Sequence, residues 1–159
     1  MTQINSVLGP MDTSDLGFTL SHEHVIIGSA GIHHVYPEFV YRVETIERGV
    51  AELTTAYGEG LRSIIDVTTM DLGRDIRAIE QVSRESGINI ICATGTWRDI
   101  PRAFHTASPD HIASLYIREI EEGIEGTGIR AGIIKVANDL SLIHISEPRD
   151  ATLARMPSS

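Results

Sequence analysis

Apolar, strand-like segments alternate with amphipathic, helix-like segments from residue 18 to residue 137. Four segments rich in β-branched residues predict strands, at residues 18–27, 63–69, 88–94 and 131–137. Segments with a helical period predict three helices, at residues 43–58, 75–86 and from 108 to about 126. A leading hairpin is predicted before residue 17 and an irregular loop at 28–42. This alternation predicts βαβ units and a parallel sheet.

Two parallel architectures fit this alternation. A doubly wound nucleotide-binding sheet would carry a glycine-rich phosphate loop after an early strand, and the sequence has none. A (β/α)8 barrel places its functional residues at the carboxyl ends of its strands, where His24, Trp97 and Lys135 fall. A complete barrel needs about 250 residues and eight strands. Since only four strands are recognised, we predict an α/β fold that is the N-terminal half of a TIM barrel, truncated.

The composition argues against several classes of partner. A net charge of −9 disfavours nucleic acid and anionic membrane surfaces, because both require a basic face. No apolar run approaches the length that crosses a bilayer, and no secretory signal is visible. The single cysteine, Cys92, cannot form an intramolecular disulfide and is expected to lie inertly in the core. We expect a cytoplasmic protein that acts on a small molecule.

Two histidines lie two residues apart in the first predicted strand. Side chains alternate faces along a strand, so His22 and His24 point the same way and Glu23 points to the other face. Two adjacent imidazoles on one face can act as a pair of metal ligands. They can equally be hydrogen-bonded core or loop histidines, and the spacing alone leaves both interpretations open.

Five stretches of the chain together resemble the phosphotriesterase family of the amidohydrolase superfamily. They match in order between about Val7 and Ala137, and cover about the N-terminal half of a family member. The stretches are 17–24 (GFTLSHEH), 65–69 (IDVTT), 72–75 (LGRD), 93–97 (ATGTW) and 126–137 (GTGIRAGIIKVA). The resemblance implies a (β/α)8 barrel with two divalent metal ions, usually zinc, at its mouth. It also implies hydrolysis of organophosphate triesters or, in a lactonase-like branch, of lactones and related esters.

The resemblance assigns roles to four residues. His22 and His24 match the ligands of the more buried metal, Lys135 matches the carboxylated lysine that bridges both metals, and Trp97 matches an aromatic residue beside the substrate pocket. The family's two later histidines and its general-base aspartate have no counterpart, so no catalytic residue is assigned. The setting of His144 does not match the family, and no ligand is carried onto it.

Lys135 is the only lysine of the chain, and it lies between Ile134 and Val136. A strand lysine often extends its ammonium group to solvent at the end of the sheet. A buried lysine loses its proton readily, and the neutral amine can then add carbon dioxide to form an anionic carbamate. The apolar neighbours favour the buried interpretation. Asp66, on the second predicted strand, is expected to be structural.

The sequence also predicts how the chain is divided and how it behaves. Residues 1–139 are predicted to be a partial phosphotriesterase-like barrel domain, and 140–159 a tail outside the family, either artefactual or disordered. A site with half of its ligands is expected to leave the 159-residue chain inactive or very weak. The alternative is a non-catalytic, truncated or misassembled fragment. Four strands leave unpaired edges, so aggregation or a homodimer that completes the barrel is expected.

Overall fold

The computed structural model describes residues 2–98 and 100–137. Their regular structure is a leading hairpin, a four-stranded sheet and the helices between its strands. The strands are β1 (Gln3–Ser6), β2 (Gly9–Asp12), β3 (Phe18–Glu23), β4 (Leu61–Asp66), β5 (Asn89–Gly95) and β6 (Ile133–Lys135). The helices are α1 (Ile32–Val35), α2 (Arg42–Gly58), α3 (Ile76–Ser86) and α4 (Pro109–Glu121), with five short 3-10 turns between elements.

Strands β3, β4, β5 and β6 pair in that order, and every pair is parallel. The sheet is curled into a half-barrel, which confirms the predicted α/β fold with the N-terminal half of a TIM barrel. The predicted tail at residues 140–159 and His144 lie outside the described residues. No helix within residues 2–98 and 100–137 is long and apolar enough to cross a membrane.

The hydrophobic core lies between the sheet and its helices. Ile64 of β4 and Ile90 of β5 are buried, and they join one cluster with Ile79 and Val82 of α3 and Ile46 of α2. This packing follows from the helical period seen in the sequence, which places apolar side chains on one face of each helix. Cys92 belongs to the same cluster, and burial raises the pKa of its thiol well above the usual value, as expected of an inert core cysteine.

Capping residues set the predicted helix boundaries. Ser108 accepts a hydrogen bond from the His111 amide in front of Pro109, and α4 begins there as predicted. Asp75 caps α3 in the same way, through the Ala78 amide. The predicted end of α4 near residue 126 is wrong, because the helix ends at Glu121. Gly123 then takes a φ of 128°, a conformation that a helix cannot contain.

The hairpin β1–β2 covers the amino ends of the sheet strands. The Val7 amide donates to the Ile90 carbonyl at 2.8 Å, and the Asn5 side-chain amide donates to the Ala131 carbonyl at 3.2 Å. These contacts confirm the predicted hairpin and place it at the end of the sheet opposite the carboxyl ends of the strands. That second end is where the predicted site residues lie.

Candidate functional site

The predicted site residues follow the strands to one end of the sheet. His22 lies within β3 and His24 one residue beyond it, Trp97 lies two residues after β5, and Lys135 is the last residue of β6. The carboxyl ends of parallel strands meet at the same edge of a sheet. The fold therefore brings these four residues to one mouth. Strands β4 and β5 separate the histidine strand from the lysine strand.

The two histidine rings are neighbours. Their centroids are 5.6 Å apart and the ring planes are inclined by 75°. The His22 side chain is exposed and that of His24 is half-buried. Strand β3 is shorter than predicted and contains a bulge, because Leu20 pairs with Ile64 whereas Glu23 pairs with Asp66. Between these two pairs β3 is one residue longer than β4. Such a bulge changes the direction of the side chains at the end of the strand.

The His24 ring is held by Thr68. Its Nδ1 lies 2.9 Å from the Thr68 hydroxyl oxygen. Thr68 is fully buried, and its main-chain amide donates to the Asp66 carboxylate at 2.8 Å. The Thr68 hydroxyl can accept the Nδ1–H of His24. In that tautomer the Nε2 of His24 carries the free lone pair, which is the form that binds a metal ion.

Asp66 joins the ends of β3 and β4. Its two oxygens accept the amide hydrogens of Val25 at 2.9 Å and Thr68 at 2.8 Å. Burial raises the pKa of the Asp66 carboxyl above its usual value, although these hydrogen bonds and the nearby His24 act in the opposite direction. The contacts agree with the structural role expected of Asp66. They also explain why β3 ends near Glu23, since the Val25 amide bonds to a side chain instead of a ladder carbonyl.

Lys135 is less enclosed than the sequence suggests. Its side chain is half-buried, and its neighbours Ile134 and Val136 are 60% and 69% exposed. The prediction of a buried lysine concerns the whole protein and stays a prediction, because β6 is the last strand of the described sheet. The lysine main chain is well fixed, since Lys135 pairs with Gly95 and its carbonyl accepts the Thr96 amide hydrogen at 3.2 Å.

The described residues include two candidate metal ligands. His22 and His24 have the chemistry and the spacing of a ligand pair. Within residues 2–98 and 100–137, however, no group of three or more His, Cys, Asp or Glu side chains is placed to hold a metal ion. The residues fit the first-strand ligands of a metal centre, and they do not by themselves enclose one.

Trp97 is anchored through its main chain by Asp71, a residue that the sequence reasoning missed. The Trp97 amide lies 3.2 Å from one oxygen of the Asp71 carboxylate and 3.0 Å from the other. The indole is 40% exposed, and the Arg98 guanidinium lies 5.1 Å from its ring centroid. The sequence did contain a signal for Asp71, since it is a polar residue just beyond the strand predicted at 63–69. Barrels carry their functional groups at such positions.

Sequence comparison agrees with the geometry. Residues 2–150 match the profile described as the Phosphotriesterase family. The chain belongs to the phosphotriesterase family. The predicted resemblance is thereby confirmed. The family match extends past residue 139, and the domain boundary predicted there stays a prediction.

The chain is similar to several named hydrolases and phosphotriesterase homologues. An aryldialkylphosphatase of Saccharolobus solfataricus is 40% identical over 131 residues, covering 81% of this chain and 42% of the relative. A phosphotriesterase homology protein of Mycobacterium tuberculosis is 38% identical over 149 residues, covering 87% and 46%. An N-acetyltaurine hydrolase of Rattus norvegicus is 24% identical over 161 residues, covering 83% and 46%. The chain spans less than half the length of these relatives.

Proposed function

We propose that the whole protein is a metal-dependent hydrolase of ester bonds, and that the described residues supply the first half of a two-metal site. The observation that carries the proposal is the His22 and His24 pair at the mouth of the sheet, with the Nδ1 of His24 engaged by Thr68. Histidine ligands of metal ions usually have such a partner on their second ring nitrogen. Zinc is the proposed metal, because paired imidazoles suit it.

The proposed substrate is an organophosphate triester, and a lactone or related ester is the alternative. The relative named aryldialkylphosphatase supports the first. Another relative carries the name N-acetyltaurine hydrolase, so membership of the family supports hydrolysis and leaves the substrate open. Trp97 matches the aromatic residue beside the substrate pocket of the family, and this resemblance favours a triester substrate. The indole offers a flat apolar wall against which the organic groups of a triester can pack.

Each site residue has a proposed role. The Nε2 atoms of His22 and His24 would bind one metal ion, and Lys135, as a carbamate, would bridge to a second. When bound, such ions lower the pKa of a water molecule and polarise a P=O or C=O bond. Thr68 would hold the ring of His24 through Nδ1 and leave Nε2 for the metal ion. Trp97 would form one wall of the substrate pocket.

A non-catalytic fragment is the second candidate. It is favoured by the lack, within the described residues, of a group of three or more His, Cys, Asp or Glu side chains placed around a metal position. Turnover separates the two candidates. Zinc-dependent hydrolysis of an aryl dialkyl phosphate or of a lactone by the 159-residue chain would support the enzyme. Zinc binding without turnover would support a half-site that does not act alone.

The proposed ligand pair is tested by replacing both histidines. The double variant His22→Asn and His24→Asn is expected to lower the zinc affinity of the chain at least about tenfold, because it removes both neutral nitrogen ligands. Affinity is measured by competition with a chromogenic chelator.

A second histidine pair provides the matched control. His33 and His34 also have adjacent rings, 4.0 Å apart, but they lie in α1. Replacing both with asparagine removes the same number of imidazoles, and we expect zinc affinity to stay within about twofold. An equal loss in both double variants would contradict the assignment of His22 and His24.

The role of Thr68 is tested separately. Thr68→Val is expected to lower zinc affinity about tenfold to hundredfold, because the Nδ1 of His24 loses the Thr68 hydroxyl while both ligands remain. Thr45→Val is the control, since the hydroxyl of Thr45, in α2, donates to the Val40 carbonyl and not to a histidine ring. Unchanged zinc affinity in Thr68→Val would show that Thr68 does not orient the ligand.

A further inference from the structure

Asp71 links two loops at the mouth of the sheet. It lies in the 3-10 turn Met70–Leu72, five residues beyond the last residue of β4. Its carboxylate accepts the amide hydrogen of Trp97, which follows β5, and both oxygens lie within 3.2 Å of that nitrogen. The two residues are 26 positions apart in sequence, so the contact is tertiary and not a local turn. The Trp97 main chain is therefore fixed from the loop of the neighbouring strand.

Asp71 is itself held in place. The Thr69 hydroxyl donates a short hydrogen bond to the same carboxylate. The following residues pack on the loop after the histidine strand, where the Gly28 amide donates to the Leu72 carbonyl at 2.8 Å. Gly73, with a φ of 71°, approaches the Ser29 main chain so closely that a Cβ would lie 2.6 Å from the Ser29 nitrogen. The turn that carries Asp71 thus packs closely against the loop after β3.

The contacts of Trp97 show what the aspartate controls. Just before Trp97, the Thr96 amide is bound to the Lys135 carbonyl. Asp71 binds the next amide, so two successive main-chain groups are fixed and the direction of the Trp97 side chain follows from them. The indole itself is 40% exposed. Loss of the carboxylate would free the main chain at Trp97 but not at Thr96.

We propose that Asp71 is the positioning residue for Trp97, and that it sets the wall of the substrate pocket. The effect on the pocket wall rests on the function proposed above, whereas the positioning of Trp97 concerns this chain alone. A hydrogen bond from an amide N–H to a carboxylate is stronger than one to a neutral acceptor. The Asp71 carboxylate can therefore hold an otherwise exposed aromatic residue in one orientation. Asp71 touches no reacting atom in this assignment. Its effect on specificity is transmitted through the indole.

The chain contains a single tryptophan, so intrinsic fluorescence reports on Trp97 without labelling. Fluorescence is excited where tyrosine does not absorb, and quenching by acrylamide is measured without metal or substrate. Asp71→Ala is expected to shift the emission to longer wavelength and to raise the quenching constant about twofold, because the indole passes from 40% exposed toward full exposure. Asp71→Asn keeps one oxygen acceptor and is expected to give an intermediate value. Far-UV circular dichroism checks that both variants are folded.

Asp12 provides a matched control. Its carboxylate also accepts a main-chain amide, from Ser14 at 2.9 Å, but in the hairpin at the other end of the sheet. Asp12→Ala is expected to leave emission and quenching unchanged. Wild-type fluorescence in Asp71→Ala, or an equal change in Asp12→Ala, would overturn the proposal. If Asp71→Ala does not fold, the test relies on Asp71→Asn. Unaltered quenching in that variant would then overturn the proposal. Since no turnover is measured, failure here is distinct from failure of the proposed function.

Discussion

Replacement of Gly95 by alanine is expected to lower the free energy of unfolding by about 3 to 5 kcal/mol. Gly95 is the last residue of β5 and has a φ of 106°, which side chains rarely adopt. A Cβ at this position would overlap the carbonyl oxygen of Lys135. That oxygen accepts the Thr96 amide, so the overlap would open the pairing of β5 with β6 where the proposed metal-bridging lysine lies. The loss is measured by urea denaturation.

Gly60→Ala separates backbone strain from the overlap. Gly60 has a φ of 108°, almost the same as Gly95, but a Cβ there would meet nothing within 4 Å. We expect this control to lower the free energy of unfolding by about 1 to 2 kcal/mol, which is the conformational penalty alone. The difference between the variants measures the close approach of Gly95 to Lys135. Equal losses would mean that β6 can shift without cost.

The sequence predicts the fold well because the fold rests on local periodicity. A helical stripe places Ile79 and Val82 on the inner face of α3 whatever the rest of the chain does, and the caps at Asp75 and Ser108 act within four residues. The bulge in β3 was not predicted, because it depends on the pairing of β3 with β4. The short helix α1 was missed in the loop predicted at 28–42, since a single turn has too few residues to show a period.

The site is predicted less completely, because its supporting contacts are not local. The spacing of His22 and His24 places both rings on one face, and the structure confirms that they are neighbours. Thr68, the partner of His24, is 44 positions away, and no spacing in a single sequence predicts such a contact. The burial of Lys135 is hard to predict for a related reason. Apolar neighbours in sequence become buried only where another element covers them, and β6 is the outermost strand described.

Arg74→Met is expected to lower the free energy of unfolding by about 3 to 5 kcal/mol. The Arg74 side chain is 1% exposed, and nothing in the sequence indicated that this charge is buried. Its guanidinium donates to the Glu119 carboxylate at 2.6 and 3.2 Å and to the Ala93 carbonyl at 2.7 Å. Methionine fills a similar volume but leaves a largely buried carboxylate and a carbonyl without donors, and such orphaned groups carry a large desolvation penalty.

A double-mutant cycle tests whether the penalty comes from the orphaned charge. Glu119→Leu added to Arg74→Met removes both charges, so the double variant is expected to be more stable than Arg74→Met alone. Arg48→Met is the exposed control, because Arg48 and its partner Glu52 are 79% and 63% exposed, and little change is expected. If the second substitution only adds to the loss, Arg74 stabilises the chain through packing. Recovery in the double variant identifies the buried ion pair as the link between α4 and the carboxyl end of β5, from which Trp97 extends.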